Sequence, residues 1–266
     1  MLAGQYKINE YINNLTLDNC PRSLMLIGEY GCGKHLCSSL IADKLKLELV
    51  DITDSLDHET ITSIYLSSTP HVYEIDCSKI TIKEQNIILK FLEEPLKNSY
   101  IILLAQNTLN ILPTISNRCQ QWIFAHYDID VLDSFVCDSN KQYIEYIYSL
   151  ASTPGQIIDL EGVDILNIFD LAMLICEKIH VASLPNTLTL SNKIAFKQER
   201  DKVNFRYLTK ALLTILANKI TEDETSKSLD MYMSTINYSQ KQDIPNIDQK
   251  YIFDNYIIDL WSKSRG

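Results

Sequence analysis

Over the first 125 residues, short apolar runs alternate with stretches whose apolar side chains recur every three to four positions. Ser23-Leu24-Met25-Leu26-Ile27 is short, apolar and stops at Gly28, the profile of a buried strand. From His35 to Leu47 the residues Leu36, Cys37, Leu40, Ile41 and Leu45 fall on one helical face. Residues 47–52 and 71–76 read as a second and a third strand, with a short helix over 59–67 between them. Residues 81–94 predict a strong helix. Thr81 and Glu84 form a T-x-x-E capping box, Ile87, Ile88, Phe91 and Leu92 form the apolar stripe, and Pro95 ends it. Residues 100–105 are apolar throughout, as buried parallel strands are, and 121–124 read as a fifth strand. A short helix over 5–15 and a turn at Asp18-Asn19-Cys20-Pro21 precede all of these. Strands alternating with helices predict a parallel sheet covered on both faces.

Past about residue 125 the strand pattern fades and helical periodicity takes over. One or two short helices fit 128–149, and Thr153-Pro154-Gly155 reads as a break. Helices are expected over 156–180, over 203–220 and around 225–241, with an amphipathic helix over 251–261 closing the chain. The expected fold class is an α/β nucleotide-type domain followed by all-helical material.

Composition narrows this picture little. The 266 residues are 46% hydrophobic and 22% charged, enough for one large domain or two to three small ones. No apolar run is long enough for a membrane span, and the N-terminus lacks the basic-then-apolar layout of a secretory leader. The seven cysteines are scattered, with Cys32 and Cys37 the one close pair, which suggests free thiols in a reducing cytoplasm. No C-x-x-C pair or His-Cys cluster has ligand spacing, so no zinc is expected. The net charge of −10 argues against a protein that grips DNA alone, because phosphate contacts demand a basic face. It leaves room for a DNA contact inside a larger assembly.

The candidate chemistry begins at Gly28-Glu29-Tyr30-Gly31-Cys32-Gly33-Lys34-His35. This stretch fits G-x-x-x-x-G-K-[ST] in all but its last letter and lies between a strand and a helix. Such a loop converges backbone amides on nucleotide phosphates, with Lys34 reaching the β- and γ-phosphates. Magnesium is hard and prefers oxygen ligands, so His35 is a poor substitute for the usual hydroxyl. The second element is Tyr73-Glu74-Ile75-Asp76-Cys77. Asp76 suits a Walker B carboxylate on the magnesium shell, or else a strand-end aspartate capping its own turn. Where ATP-hydrolysing relatives of the AAA+ type place a glutamate that polarises water, this chain has Cys77, a mostly neutral thiol. The two departures together argue for a site that turns over little ATP. A cysteine nucleophile with His35 as its base lacks an evident oxyanion arrangement or third orienting group.

Ile88-Leu-Lys-Phe-Leu-Glu-Glu-Pro, then the strand to Asn107, then Ile111-Leu-Pro-Thr-Ile-Ser-Asn-Arg-Cys119 resembles the core of bacterial clamp-loader subunits of DNA polymerase III, an AAA+ family. Those proteins carry L-L-K-x-L-E-E-P, a strand, and L-P-T-I-x-S-R-C. The resemblance covers residues 1–125 at motif level, extends weakly to Tyr251–Trp261, and is strongest to the delta-prime branch, whose nucleotide site is commonly degenerate. It implies three parts: an AAA+ P-loop α/β domain over 1–125, a small helical lid over 126–163, and an all-α collar over 164–266 that joins subunits in a ring. It implies a role for Asn107 as the polar sensor of a site for ATP or ADP with magnesium. It implies that Arg118 reaches in trans to the nucleotide of a neighbouring subunit, work that suits a forked, always-charged guanidinium. The implied partners are other clamp-loader AAA+ subunits, met through the collar and the Arg118 face, the sliding clamp and primer-template DNA within the complex. Three departures stand out. Asn117 separates Ser116 from Arg118 where the family has Ser directly before Arg, Ser152–Leu160 lacks the sensor arginine of active subunits, and the four-cysteine zinc module of bacterial relatives is absent. A structural subunit is therefore expected, with an active gamma/tau-like ATPase subunit as the alternative. A small-molecule kinase would have no use for the L-E-E-P and R-C segments.

Overall fold

The computed structural model describes residues 1–93, 99–189, 191–192, 205–223, 226–241 and 248–265. The chain divides into two compact units, one of residues 1–135 with 153–156, the other of residues 136–152 with 157–266.

The first unit is built on five parallel strands: β1 (Ser23–Ile27), β2 (Glu48–Asp51), β3 (His71–Asp76), β4 (Tyr100–Ala105) and β5 (Gln120–Ile123). Their spatial order is β2-β3-β4-β1-β5, which puts β1 near the middle, between β4 and β5. The helices are α1 (Tyr6–Asn13), α2 (Lys34–Leu45), α3 (His58–Leu66), α4 (Ile82–Glu93), α5 (Pro113–Ser116) and α6 (Ile129–Asp133). Successive strand residues point to opposite faces, so each face carries its own core. Leu24, Leu26, Tyr100 and Ile102 pack with Ile12 and Ile41 on one side. Met25, Ile75, Ile101 and Leu103 pack with Ile88 and Phe91 on the other. The expected α/β class with a sheet covered on both faces is the one observed.

Local chemistry sets the helix ends. The capping box of α4 forms: Thr81 N donates to Glu84 Oε2 at 2.6 Å, and Glu84 N donates to Thr81 Oγ1 at 3.4 Å. Asp57 caps α3 through Thr60 N at 2.7 Å. The Glu94 to Pro95 end expected for α4 lies outside the described residues.

The second unit is helical. It contains α7 (Ile144–Leu150), the second half of α8 (Pro154–Asp159), α9 (Ile165–Lys178), α10 (Phe205–Asp223), α11 (Ser226–Ser239) and α12 (Gln249–Lys263). Its core is aromatic: Phe205 stacks on Phe253 at 4.5 Å, and Tyr238 stacks on Tyr256 at 4.2 Å between ring centroids. Two expectations need correction. Residues 153–155 do not break the chain, because Pro154 opens α8 at its first position, where its missing N–H costs nothing. The helical stretch expected over 156–180 is interrupted, giving two helices. Gly162 takes φ +75, and Asp164 starts α9 by accepting from Asn167 N at 3.1 Å.

Candidate functional site

The loop 28–33 leaves the C-terminal end of β1, where Gly28 N donates to Ala105 O at 3.0 Å. Gly31 and Gly33 both have left-handed backbone, φ +80 and +92, which side-chain-bearing residues rarely adopt. The loop carbonyls are taken up by the protein. Lys34 Nζ donates to Gly28 O at 2.6 Å and to Glu29 O at 2.9 Å. Tyr30 O accepts from Thr153 Oγ1 at 2.8 Å and from Gln156 Nε2 at 2.9 Å. Gly31 O accepts from Gly155 N at 2.9 Å, and Cys32 O from Tyr127 OH at 2.6 Å. These contacts fix the peptide planes of the loop.

The first turn of α8 therefore grips the loop. A Cβ on Gly155 would lie 2.5 Å from Gly31 Cα, and a Cβ on Gly31 would lie 2.7 Å from Gln156 N and Thr153 Oγ1. Both positions demand glycine. The sequence signal was present in Thr153-Pro154-Gly155, but it reads locally as a break, not as a partner of a loop more than a hundred residues away.

His35, the odd last letter of the loop motif, is not idle. Its Nδ1 lies 2.5 Å from Oε1 of Glu74 on β3. The imidazole is largely exposed, whereas the Glu74 side chain is only 3% exposed. Its second oxygen, Oε2, has no hydrogen-bond partner among the described residues. Sequence reasoning passed over Glu74. The signal was a lone carboxylate in an apolar strand, two residues before Asp76 and so on the same face of the sheet.

Asp76 takes the turn-capping form. Its Oδ1 accepts from Ser78 N at 3.0 Å and Ser78 Oγ at 2.7 Å. Its own N–H donates to Thr53 Oγ1 at 2.9 Å, and the same hydroxyl donates to Asp51 Oδ1 at 2.6 Å. Thr53 thus bridges the ends of β2 and β3. Burial and the Asp51 environment oppose one another: burial raises its pKa, and the hydrogen bonds from the Thr53 side chain and backbone, with the nearby Lys79 and His35 charges, together outweigh it and hold the carboxyl below its ordinary value. Cys77 is buried, and burial, with the adjacent Asp76 charge, pushes its thiol up to about 12. A neutral thiol cannot serve as the base for water. Asn107 Oδ1 accepts from Leu109 N at 2.9 Å, a local turn at the end of β4.

Arg118 sits apart from this group. Pro113 to Ser116 form α5, and Asn117 is its C-cap. Arg118 Nη1 donates to Thr114 O at 2.8 Å, and Nη2 to Glu93 Oε1 at 2.7 Å.

A nucleotide fits the glycine conformations and the oriented backbone of the loop. Magnesium does not fit the side chains placed for it. An imidazole tied to Glu74 replaces the hydroxyl, and Oδ1 of Asp76 is engaged by Ser78. Among the described residues no group of three or more His, Cys, Asp or Glu side chains is arranged to hold a metal ion. None of the described helices is long and apolar enough to cross a membrane.

Residues 50–128 match the family described as "DNA polymerase III, delta subunit". Over 51 residues the chain is 41% identical to DNA polymerase III subunit delta' of Haemophilus influenzae, a stretch that is 19% of this chain and 16% of that relative's length. A DNA polymerase III gamma subunit-related protein of Thermotoga maritima superposes with a TM-score of 0.48 at 14% identity, covering 98% of this chain and 100% of that one. The RuvB Holliday junction branch migration motor of Thermotoga maritima superposes with a TM-score of 0.47 at 15% identity, covering 65% of this chain and 64% of that one. With a glycine-rich loop after the first of five parallel strands, and the stretch from the end of β2 through β5 matching the delta-subunit family, the chain resembles a clamp-loader subunit of DNA polymerase III.

Proposed function

We propose that this chain is a delta-prime-like structural subunit of a replication clamp loader, which helps open and load the sliding clamp at primer-template junctions and hydrolyses little or no ATP itself. The contact between His35 Nδ1 and Glu74 Oε1 carries the reading. At the position where a phosphate loop offers a hydroxyl to magnesium, the side chain is committed to a buried carboxylate. The neutral Cys77 supports it from the water side of the same chemistry. The loop holds the fold in shape and can take ATP or ADP through its backbone and Lys34. Arg118 serves a neighbouring ATPase subunit in trans, where such an arginine is worth about 10³–10⁵ in rate. In this reading the helical regions 126–163 and 164–266 act as lid and collar, and the protein works in the cytoplasm.

The test is ATP turnover by the purified chain, with and without DNA and clamp. Turnover at background level is expected. Robust stimulated hydrolysis that disappears in Lys34→Ala would overturn the structural reading in favour of a gamma/tau-like ATPase subunit. The glycines and lysine of the loop are the observation on that side.

A further inference from the structure

We infer that Glu93 is a positioning residue that holds Arg118 in reserve within its own chain and yields it to a nucleotide phosphate on a neighbouring subunit. The inference rests on the trans role proposed for Arg118. Glu93 lies in α4, and Arg118 follows α5. Eleven residues past the start of α4, Glu93 lies beyond the reach of the positive pole of the helix dipole. Its carboxylate instead meets Arg118 Nη2 at 2.7 Å, while Nη1 stays on Thr114 O at 2.8 Å.

The two anchors differ in kind. Thr114 O is a neutral carbonyl four residues back in the chain, and it sets the root direction of the guanidinium. Glu93 is a charged oxygen with the geometry of a phosphate oxygen, and it occupies one arm of the fork. The pair is open to solvent, with 38% of the Arg118 side chain and 51% of the Glu93 side chain exposed. An exposed pair of this kind is weak, so exchanging one oxyanion for another is cheap. A phosphate bearing more charge than a carboxylate wins the exchange, and the Thr114 contact keeps the arm aimed while it does. Without a partner nucleotide, Glu93 spares the arginine from wandering onto the acidic surface of its own chain, which carries 34 acidic against 24 basic residues.

The experiment compares the wild-type chain, Glu93→Gln and Arg118→Ala, each reassembled with the ATPase subunits that co-purify with it. In the free chain, modification of Arg118 by phenylglyoxal is followed by peptide mass spectrometry. Glu93→Gln is expected to speed that modification, and to lower the KM for ATP in the assembly, by about two- to fivefold with kcat little changed. Arg118→Ala is expected to abolish stimulated turnover. If Arg118→Ala lowers turnover but Glu93→Gln matches the wild type or raises the KM, the reserve role of Glu93 is wrong and the finger stands. If Arg118→Ala changes nothing, the finger reading fails and this inference with it. Equal denaturation midpoints for Glu93→Gln and wild type guard against a folding artefact.

Discussion

Gly155 and Gly31 touch backbone to backbone: Gly155 N donates to Gly31 O at 2.9 Å, and a methyl on Gly155 would sit 2.5 Å from Gly31 Cα. The first turn of α8 thus clasps the tip of the loop 28–33, and the clasp exists only while both residues lack side chains.

Gly155→Ala is expected to destabilise the first unit by about 1–3 kcal/mol, the usual cost of overpacking against atoms that cannot move aside. Helix propensity alone would predict the opposite, since alanine is favoured over glycine within α8. Gly162→Ala is the comparison. Nothing lies within 4 Å of a Cβ there, so only its left-handed backbone is strained, at about 1–2 kcal/mol. Urea midpoints measure both, and a Gly155→Ala protein as stable as the wild type would show that the clasp is not tight.

His35→Ser restores the missing letter of the loop motif, yet it is expected to weaken the protein. It leaves Glu74, 3% exposed, with an unpartnered Oε2 and no imidazole on Oε1. Stranding such a group costs about 1–3 kcal/mol. Adding Glu74→Val should recover most of the loss, because both polar groups then go together. A double-mutant cycle in chemical denaturation reads the coupling. Additive single and double effects would mean that the two side chains do not stabilise one another.

Asp51 makes a pH-dependent contribution. Its folded pKa lies below the ordinary value of 3.8, because the bonds from Thr53, with the Lys79 and His35 charges, together outweigh burial. Its stabilisation is therefore fully present above that value and is lost as pH falls through the lower, folded pKa. Asp51→Asn should be less stable than wild type at pH 6, and the gap should close as pH falls below about 3.8. A gap that stays constant down to pH 3 would rule out the ionised Asp51–Thr53 contact as its source.

Cys77 is expected to resist alkylation. With its pKa raised to about 12, chiefly by burial, almost no thiolate exists at pH 8. Iodoacetamide labelling of the native chain should proceed at the rate of transient opening, and accelerate sharply in denaturant. Fast native labelling of Cys77 at pH 8 would indicate an activated thiol and reopen its use as a base or nucleophile.

Much of the architecture was legible along the chain. Apolar runs and capping signals are local, and local signals place β1 to β5, α2 and α4 within a residue or two of where they fold. The boundary inside 156–180 was not legible, because Gly162 and Asp164 compete with a helical apolar period that continues through them. Periodicity reports which face is greasy, whereas a single left-handed glycine decides where a helix stops.

For the candidate site, the sequence by itself determined the loop, its altered last residue, the thiol at Cys77 and the candidate arginine, because each is a residue type at a motif position. Only the tertiary structure decided what those residues do. His35 meets Glu74 from another strand, Gly155 reaches Gly31 across more than a hundred residues, and Glu93 takes one arm of Arg118. Such pairs join residues that are distant along the chain and close in space. Motif spacing names the chemistry a residue can perform, and packing chooses the partner that uses or restrains it.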